Sequence, residues 1–255
     1  MEKIDLGNYL AGNEYPGRGI AVALAPDGKK IFIGYFIMGR SANSRNRVFS
    51  PLPERGGIET KAADPAQMQD PSLIIYNPVL TLGKTHIVTN GDQTDTIFDA
   101  LCAGHSFADA LRTRTFEPDG PNWTPRVSAI VYADGGYAMS ILKSADGCGD
   151  SVQRYFYEYP QPVAGEGHFL STYRCNGSPI PSFEGEPLRF AAPDTIGAFA
   201  SMIWQNLNAD NKVSFFARVV DLESGSSGDL LYNKYTPAED DTADPAEPAP
   251  LPEER

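Results

Sequence analysis

Two nearly continuous apolar runs joined by one short turn set the narrowest limit on how this chain can fold. Residues 19–25 are rich in Ile, Val and Ala, residues 30–38 in Ile, Phe and Tyr, and Pro26-Asp27-Gly28 lies between them. Asp-Gly supplies the positive φ angles that a tight hairpin turn needs. A strand with one face in water alternates apolar and polar side chains. These runs do not, so the hairpin is expected to be buried on both faces and to seed a central sheet.

The rest of the chain reads as blocks of strands separated by helices. A Pro- and Gly-rich span, 50–71, reads as irregular, with the length and composition that a lid would have. Strands are expected over 72–76 and 85–89. Asp92 or Thr94 can cap a helix carrying Ile97, Phe98 and Leu101, and Ser106 a shorter one carrying Phe107 and Leu111. Strands follow over 125–132, 136–142, 152–159 and 169–174, the first two joined by Ala133-Asp134-Gly135. Asp194 or Thr195 caps the strongest helix, in which Ile196, Phe199, Ile203 and Leu207 recur at helical spacing. Runs at 212–222 and 230–235 close the pattern. This order suggests a layered α+β fold with helices covering a sheet or a pair of sheets.

Charge narrows the partners. The chain of 255 residues carries 21 basic and 33 acidic side chains, a formal net charge of −12. That balance argues against nucleic acid or an acidic membrane surface, both of which need a basic face. Residues 237–255 hold seven of the acids, one arginine and five prolines, so they read as a disordered, solubilising tail. No apolar stretch is long enough to span a membrane, and no secretory signal is visible at the start, so the cytoplasm is expected. Cys102, Cys148 and Cys175 are odd in number and lack Cys-x-x-Cys spacing. With His86 and His105 at no metal spacing, neither a metal nor another cofactor is expected.

The run Gly39-Arg40-Ser41-Ala42-Asn43-Ser44-Arg45-Asn46-Arg47 carries the clearest chemical signal. It leaves an apolar strand directly, and no acidic residue occurs from Gly28 to Pro53. Crowded arginines repel one another unless an anion joins them, and the guanidinium fork matches phosphate oxygens in pairs. Arg40, Arg45 and Arg47, with Ser41 and Asn46, are therefore candidates to hold a phosphate. Arg18 lies between Gly17 and Gly19, which either admit a ligand closely or merely shape a turn. Tyr76-Asn77-Pro78 and Asn90-Gly91-Asp92 fall just past expected strand ends, where sites concentrate but turn residues are also common. Glu117 and Arg126 flank a further loop, as a structural ion pair or as a base with its orienting partner. His168 follows Gly165-Glu166-Gly167 and reads more readily as structural. There is no P-loop, dinucleotide turn or nucleophile elbow.

Several of these runs together resemble a known family. Tyr-Pro-Gly-Arg-Gly-Ile (15–20), Gly-Tyr-Phe-Ile-Met-Gly-Arg-Ser (34–41), Ser-Arg-Asn-Arg (44–47), Tyr-Asn-Pro (76–78), Thr-Asn-Gly-Asp-Gln-Thr-Asp (89–95), Glu-Pro-Asp (117–119) and Thr-Pro-Arg (124–126) are similar to the archaeal-type IMP cyclohydrolases and their bacterial relatives. The resemblance implies residues 15–236 as the family domain, with 1–14 as an N-terminal extension. It implies an α-β-β-α sandwich like the N-terminal-nucleophile hydrolases, although Met1-Glu2 offers no such nucleophile. It also implies ring closure of 5-formamidoimidazole-4-carboxamide ribotide (FAICAR) to IMP with loss of water, a cyclohydrolase acting on carbon–nitrogen bonds in cyclic amidines. Glu117 would then be the base or proton relay, oriented by Arg126, with Tyr76 and Asn90 donating to the carboxamide or formyl oxygens. Arg40, Ser41, Arg45, Asn46 and Arg47 would hold the 5′-phosphate, with Arg18 nearby and Asn77, Asp92 and His168 in the substrate site. A homo-oligomer is expected. The alternatives are another ribotide or amide hydrolase on the same fold, or a noncatalytic nucleotide-binding protein.

Overall fold

A computed structural model of the chain describes residues 2–68 and 70–235. The acidic tail expected over 237–255 lies outside the described residues. The order begins α1 (Leu6–Ala11), β1 (Arg18–Leu24), β2 (Lys30–Met38), α2 (Ala42–Arg45), β3 (Val48–Leu52) and β4 (Gly57–Lys61). It continues with β5 (Val79–Leu82), β6 (Thr85–Thr89), α3 (Gln93–Cys102), α4 (Phe107–Arg112), β7 (Arg126–Val131), β8 (Tyr137–Ala145) and β9 (Cys148–Tyr159). It ends with β10 (Glu166–Ser171), β11 (Leu188–Ala191), α5 (Ile196–Trp204), β12 (Lys212–Asp221) and β13 (Ser227–Asn233).

The strands form two antiparallel sheets, one ordered β11-β10-β1-β2-β12-β13 and the other β3-β4-β5-β6-β7-β8-β9. The apolar hairpin β1–β2 does lie at the centre of the first sheet, and every residue of β1 is buried. Its turn is looser than a two-residue one: the Ala25 amide donates to Lys30 O at 2.8 Å, and of Asp27 and Gly28 only Gly28 takes a positive φ, 68°.

Alternation along the strands explains why this pair is apolar on both faces. Ile20, Val22, Ile31, Ile33 and Ile37 point at the second sheet and meet Val88, Val127, Ala129 and Met139 there. Ala21, Phe32, Phe36 and Phe215 point the other way, onto Leu6 and Leu10 of α1 and Phe199 and Ile203 of α5. On the far side of the second sheet, Ile87, Ile130 and Leu142 pack under Ile97 of α3 and Phe107 and Leu111 of α4. Helices therefore cover the outer face of each sheet, and the deepest core lies between the sheets. Each fully buried side chain of this kind contributes roughly 1.5–3 kcal/mol. Gly34 belongs to this packing, because a Cβ there would stand 2.9 Å from the Phe199 ring.

Several expectations need correction. Residues 72–76 are turns rather than a strand: between Pro71 and Pro78, the amides of Ile74 and Ile75 both donate to Pro71 O. The strand sits one proline later, as β5, directly after Pro78. Much of the span 50–71 is regular, with β3 and β4 forming a hairpin turned through Pro53–Arg55 and Gly56, whose φ is 60°. That pairing is a poor match to a mobile lid. Residues before Tyr15 also join the core, since Leu6 and Leu10 of α1 are buried and Ile4 bridges to Phe190. α1, α2 and β11 are too short for hydrophobic periodicity to find.

Candidate active site

The two sheets bring Arg18, Tyr35, Arg47, Tyr76, Asn90 and Glu117 into one buried polar cluster. Arg18 is the first residue of β1, opposite Ile37, and Tyr35 projects from β2 into the layer between the sheets. Arg47 enters from the loop before β3 and is completely buried. Tyr76 enters from the turn before β5, and its hydroxyl lies 2.7 Å from that of Tyr35. Asn90 stands just past β6. Glu117 lies between α4 and β7, its amide donating to Thr124 O at 2.9 Å.

Glu117 is 2% exposed. Its Oε1 accepts from Asn90 Nδ2 at 3.2 Å, and its Oε2 stands 3.6 Å from Arg18 Nη2. Burial pushes this carboxyl up to about 7, against the opposing pull of Arg18 and Arg126. At neutral pH such a group can both take and return a proton. Burial likewise raises the hydroxyls of Tyr35 and Tyr76, which remain protonated donors.

The two inner guanidiniums are not fully partnered. Arg47 donates through Nε to Ser44 O at 2.8 Å and through Nη2 to Met38 O at 3.1 Å, while Nη1 has no partner among the described residues. Arg18 Nε is also buried without one. A buried donor without an acceptor costs about 1–3 kcal/mol, so two such atoms facing one cluster mark a place fitted for an acceptor-rich ligand.

The sequence grouped Arg40, Arg45 and Arg47, and the fold separates them. Only Arg47 turns inward. Arg40 stays at the surface, donating to Asn176 Oδ1 at 2.6 Å and lying 5.0 Å over the Tyr15 ring. Arg45 is held by Gly39 O and Asn211 Oδ1. Ser41 caps α2 and exchanges hydrogen bonds with Ser44. Asn46 is tied to the backbone of Asp64 through both ends of its amide. Arg45 and Asn46, with Lys234 and Tyr235, border an open cavity of about 600 Å³.

The remaining candidates take supporting positions. Arg126 Nη1 lies 2.7 Å from both Gln93 Oε1 and Asp92 Oδ1, so it braces the loop after β6. Asp92 precedes α3 but makes no side-chain cap, because Arg114 and Arg126 occupy its carboxylate. Asn77 reaches only Asp95, at 3.4 Å. His168 lies apart from the cluster: it pairs with Val22, four residues along β1 from Arg18, and its Nδ1 is 2.6 Å from the Tyr137 hydroxyl. It stacks on Tyr159, and burial lowers it to about 4, which fits a structural role.

Sequence reasoning missed Tyr35 and Gln93. Tyr35 is hidden in an apolar run, where its hydroxyl was the only polar signal. Gln93 looks like the opening of a helix, yet it is completely buried. Thr124, which bonds to both Asp119 and the Tyr173 hydroxyl, was visible only as part of a motif.

Among the described residues, no group of three or more His, Cys, Asp or Glu side chains could hold a metal ion. No helix among them is long and apolar enough to cross a membrane.

Fold and site together define an α+β protein of two facing antiparallel sheets, with a buried carboxyl held between guanidinium and amide donors. Residues 15–225 match the family of IMP cyclohydrolase-like proteins, and the chain belongs to that family. The IMP cyclohydrolase of Methanococcus maripaludis strain C7 is 29% identical over 167 residues, covering 64% of this chain and 76% of that protein. The IMP cyclohydrolase of Methanopyrus kandleri is 30% identical over 169 residues, covering 62% and 75%.

Proposed function

We propose that this protein is an IMP cyclohydrolase, closing FAICAR to IMP with loss of water. The observation that carries the reading is Glu117, a buried carboxyl poised near neutrality beside orphaned arginine donors, in a chain of the IMP cyclohydrolase-like family. The carboxamide nitrogen of the substrate attacks the formyl carbon, forming the new carbon–nitrogen bond while the carbonyl oxygen gains charge. An amide nitrogen is a weak nucleophile, so alignment against the formyl group supplies much of the rate. Glu117 takes the proton from that nitrogen. The same proton can then go to the formyl oxygen, which leaves as water when the neighbouring ring-side nitrogen gives up its own.

Arg18, Arg47 and the Tyr35–Tyr76 hydroxyl pair are the donors available to the developing oxyanion, while Asn90 holds Glu117 and Arg126 braces the loop after β6 that carries Asn90. Arg40 and Arg45, with Ser41 and Asn46, are left for the 5′-phosphate at the outer end. The attacking nitrogen belongs to the substrate, so no nucleophile is asked of the chain. Two facing sheets between helices support the likeness to N-terminal-nucleophile hydrolases on that footing.

Mixing the protein with FAICAR and following IMP formation by absorbance tests the reading. Turnover well above the uncatalysed rate is expected, and its absence would overturn the assignment. The phosphate-free nucleoside should react more slowly as well as bind less tightly. Association of copies is part of the proposal, supported by the outer edge of β9, twelve residues long and unpaired among the described residues. Sedimentation velocity checks it, and a single monomeric species would refute it.

A further inference from the structure

We infer that Gln93 is a positioning residue: it ties the carbonyl of Asn90 to Arg126, and so holds the Asn90 amide in place as the donor to Glu117. The inference rests on the reading of Glu117 as the proton carrier.

Each link has one possible polarity, because a backbone group or an arginine fixes it. Asn90 Nδ2 donates to Pro125 O at 3.0 Å, and Asn90 Oδ1 accepts from the Val127 amide at 2.8 Å. A backbone carbonyl only accepts and a backbone amide only donates, so the orientation of the Asn90 amide is settled. Gln93 is settled in the same way. Its Nε2 donates to Val127 O at 3.3 Å and its Oε1 accepts from Arg126 Nη1 at 2.7 Å. An arginine cannot accept. The remaining contact is Gln93 Nε2 to Asn90 Oδ1 at 3.0 Å.

Counting valences closes the case. Asn90 Oδ1 has two lone pairs, filled by Val127 and Gln93. Asn90 Nδ2 has two hydrogens, given to Pro125 and to Glu117 Oε1 at 3.2 Å. Oε1 therefore faces an amide whose two hydrogens are both committed. The orphaned Nε of Arg18 and Nη1 of Arg47 belong to the same cluster, where a substrate would meet the carboxyl.

Gly91 supports the same chain from outside. A Cβ at Gly91 would stand 2.5 Å from Arg126 Nη1 and 2.7 Å from Gln93 Oε1, so a side chain there would push against both ends of that hydrogen bond. The groups acting on Glu117 are Arg18 from β1, Arg47 before β3, Arg126 from β7, Asp119 from its own loop and the Tyr76 hydroxyl. None of them replaces the Asn90 contact at Oε1.

The test is a difference-infrared titration of the Glu117 carboxyl, its band assigned by loss in Glu117→Gln. It compares wild type with Gln93→Met and Gly91→Ala, alongside the pH profile of ring closure. Weakening the donor at Oε1 destabilises the ionised form, so both variants should titrate about half a pH unit higher than wild type. An unmoved or downward titration in the variants that fold would overturn the inference, and Gly91→Ala decides alone if Gln93→Met does not fold. If the carboxyl shifts as expected while no ring closure occurs in wild type, the positioning role stands and the cyclohydrolase reading fails.

Discussion

Two arginine clusters lie in the layer between the sheets, and their hydrogen bonds separate a structural group from a functional one. Arg218 of β12 sits opposite Ile33, whereas Arg18 sits opposite Ile37, four residues along the same strand. Every nitrogen of Arg218 has an acceptor. Nε and Nη2 each lie 2.7 Å from an oxygen of Asp229, and Nη1 reaches Gly56 O, Thr81 Oγ1 and His86 Nδ1. Arg18 and Arg47 each keep a nitrogen with none. Burial exacts the same desolvation in both places, so the difference is what each cluster has been left to bind. Arg218 ties β12 to the β3–β4 turn and to β5 and is complete. The Arg18–Arg47 cluster is complete only with a further acceptor.

Even the finished cluster has one loose atom. Because Arg218 only donates, His86 Nδ1 is an acceptor and its Nε2 carries the hydrogen, buried without a partner. Burial and the adjacent Arg218 lower His86 to about 4, so it stays neutral and adds no charge to the layer.

The comparison can be broken at its strongest point first. Glu117→Gln should lose roughly 10²–10⁴ in turnover, the range for a single general acid–base group, while keeping ribotide affinity. Steady-state rates and a direct binding measurement check the two halves. If turnover survives, the open cluster does not carry the reaction through Glu117.

Next in size is the contrast between the two arginines. Arg218→Met removes the buried partner of Asp229 and should lower stability by roughly 3–5 kcal/mol in denaturant unfolding. Arg18→Met should change stability by less than about 1 kcal/mol near pH 6, where Glu117 is largely protonated, yet should sharply reduce turnover. Equal stability losses would erase the distinction between the two clusters.

A third outcome follows from the carboxyl itself. Its folded value, about 7, lies above the ordinary 4.5, so the native state binds this proton more readily than the unfolded chain. The contribution of Glu117 to stability is therefore most favourable below pH 4.5 and falls as the pH rises through 7. Relative to wild type, Glu117→Gln should gain roughly 3 kcal/mol between those limits, measured by unfolding at a series of pH values. A constant offset would show that the carboxyl is not raised. The smallest effect is on the rate profile: Arg18→Met removes an attraction that favours the ionised form, so its acid limb should move to higher pH.

The pattern of residues made some of this legible and hid the rest for definite reasons. The β1–β2 hairpin was readable because its apolar runs allow only one environment. Capping at Ser106 and Thr195 was readable because a hydroxyl before an apolar period has a local partner, and both make their expected bonds. Tyr76, Asn90 and Glu117 were named as candidates, and they do lie in one cluster. β3, β4 and β5 were missed because prolines and glycines suggested loop where sheet pairing overrode local preference. Arg40 and Arg45 were placed beside Arg47 because they are neighbours in the chain, although a single strand ending can send neighbouring side chains to opposite sides.

What the sequence determined by itself is the inventory and the local conformation: an apolar central hairpin, capped helices, an acid-free run of arginines, and the runs that tie the chain to its family. Only the tertiary structure decided which charges go inside. Whether an arginine is a solvated surface group, a finished structural tie or an open donor depends on acceptors drawn from strands far apart in the chain. The free energy of a buried charge is set by those acceptors rather than by its neighbours in sequence.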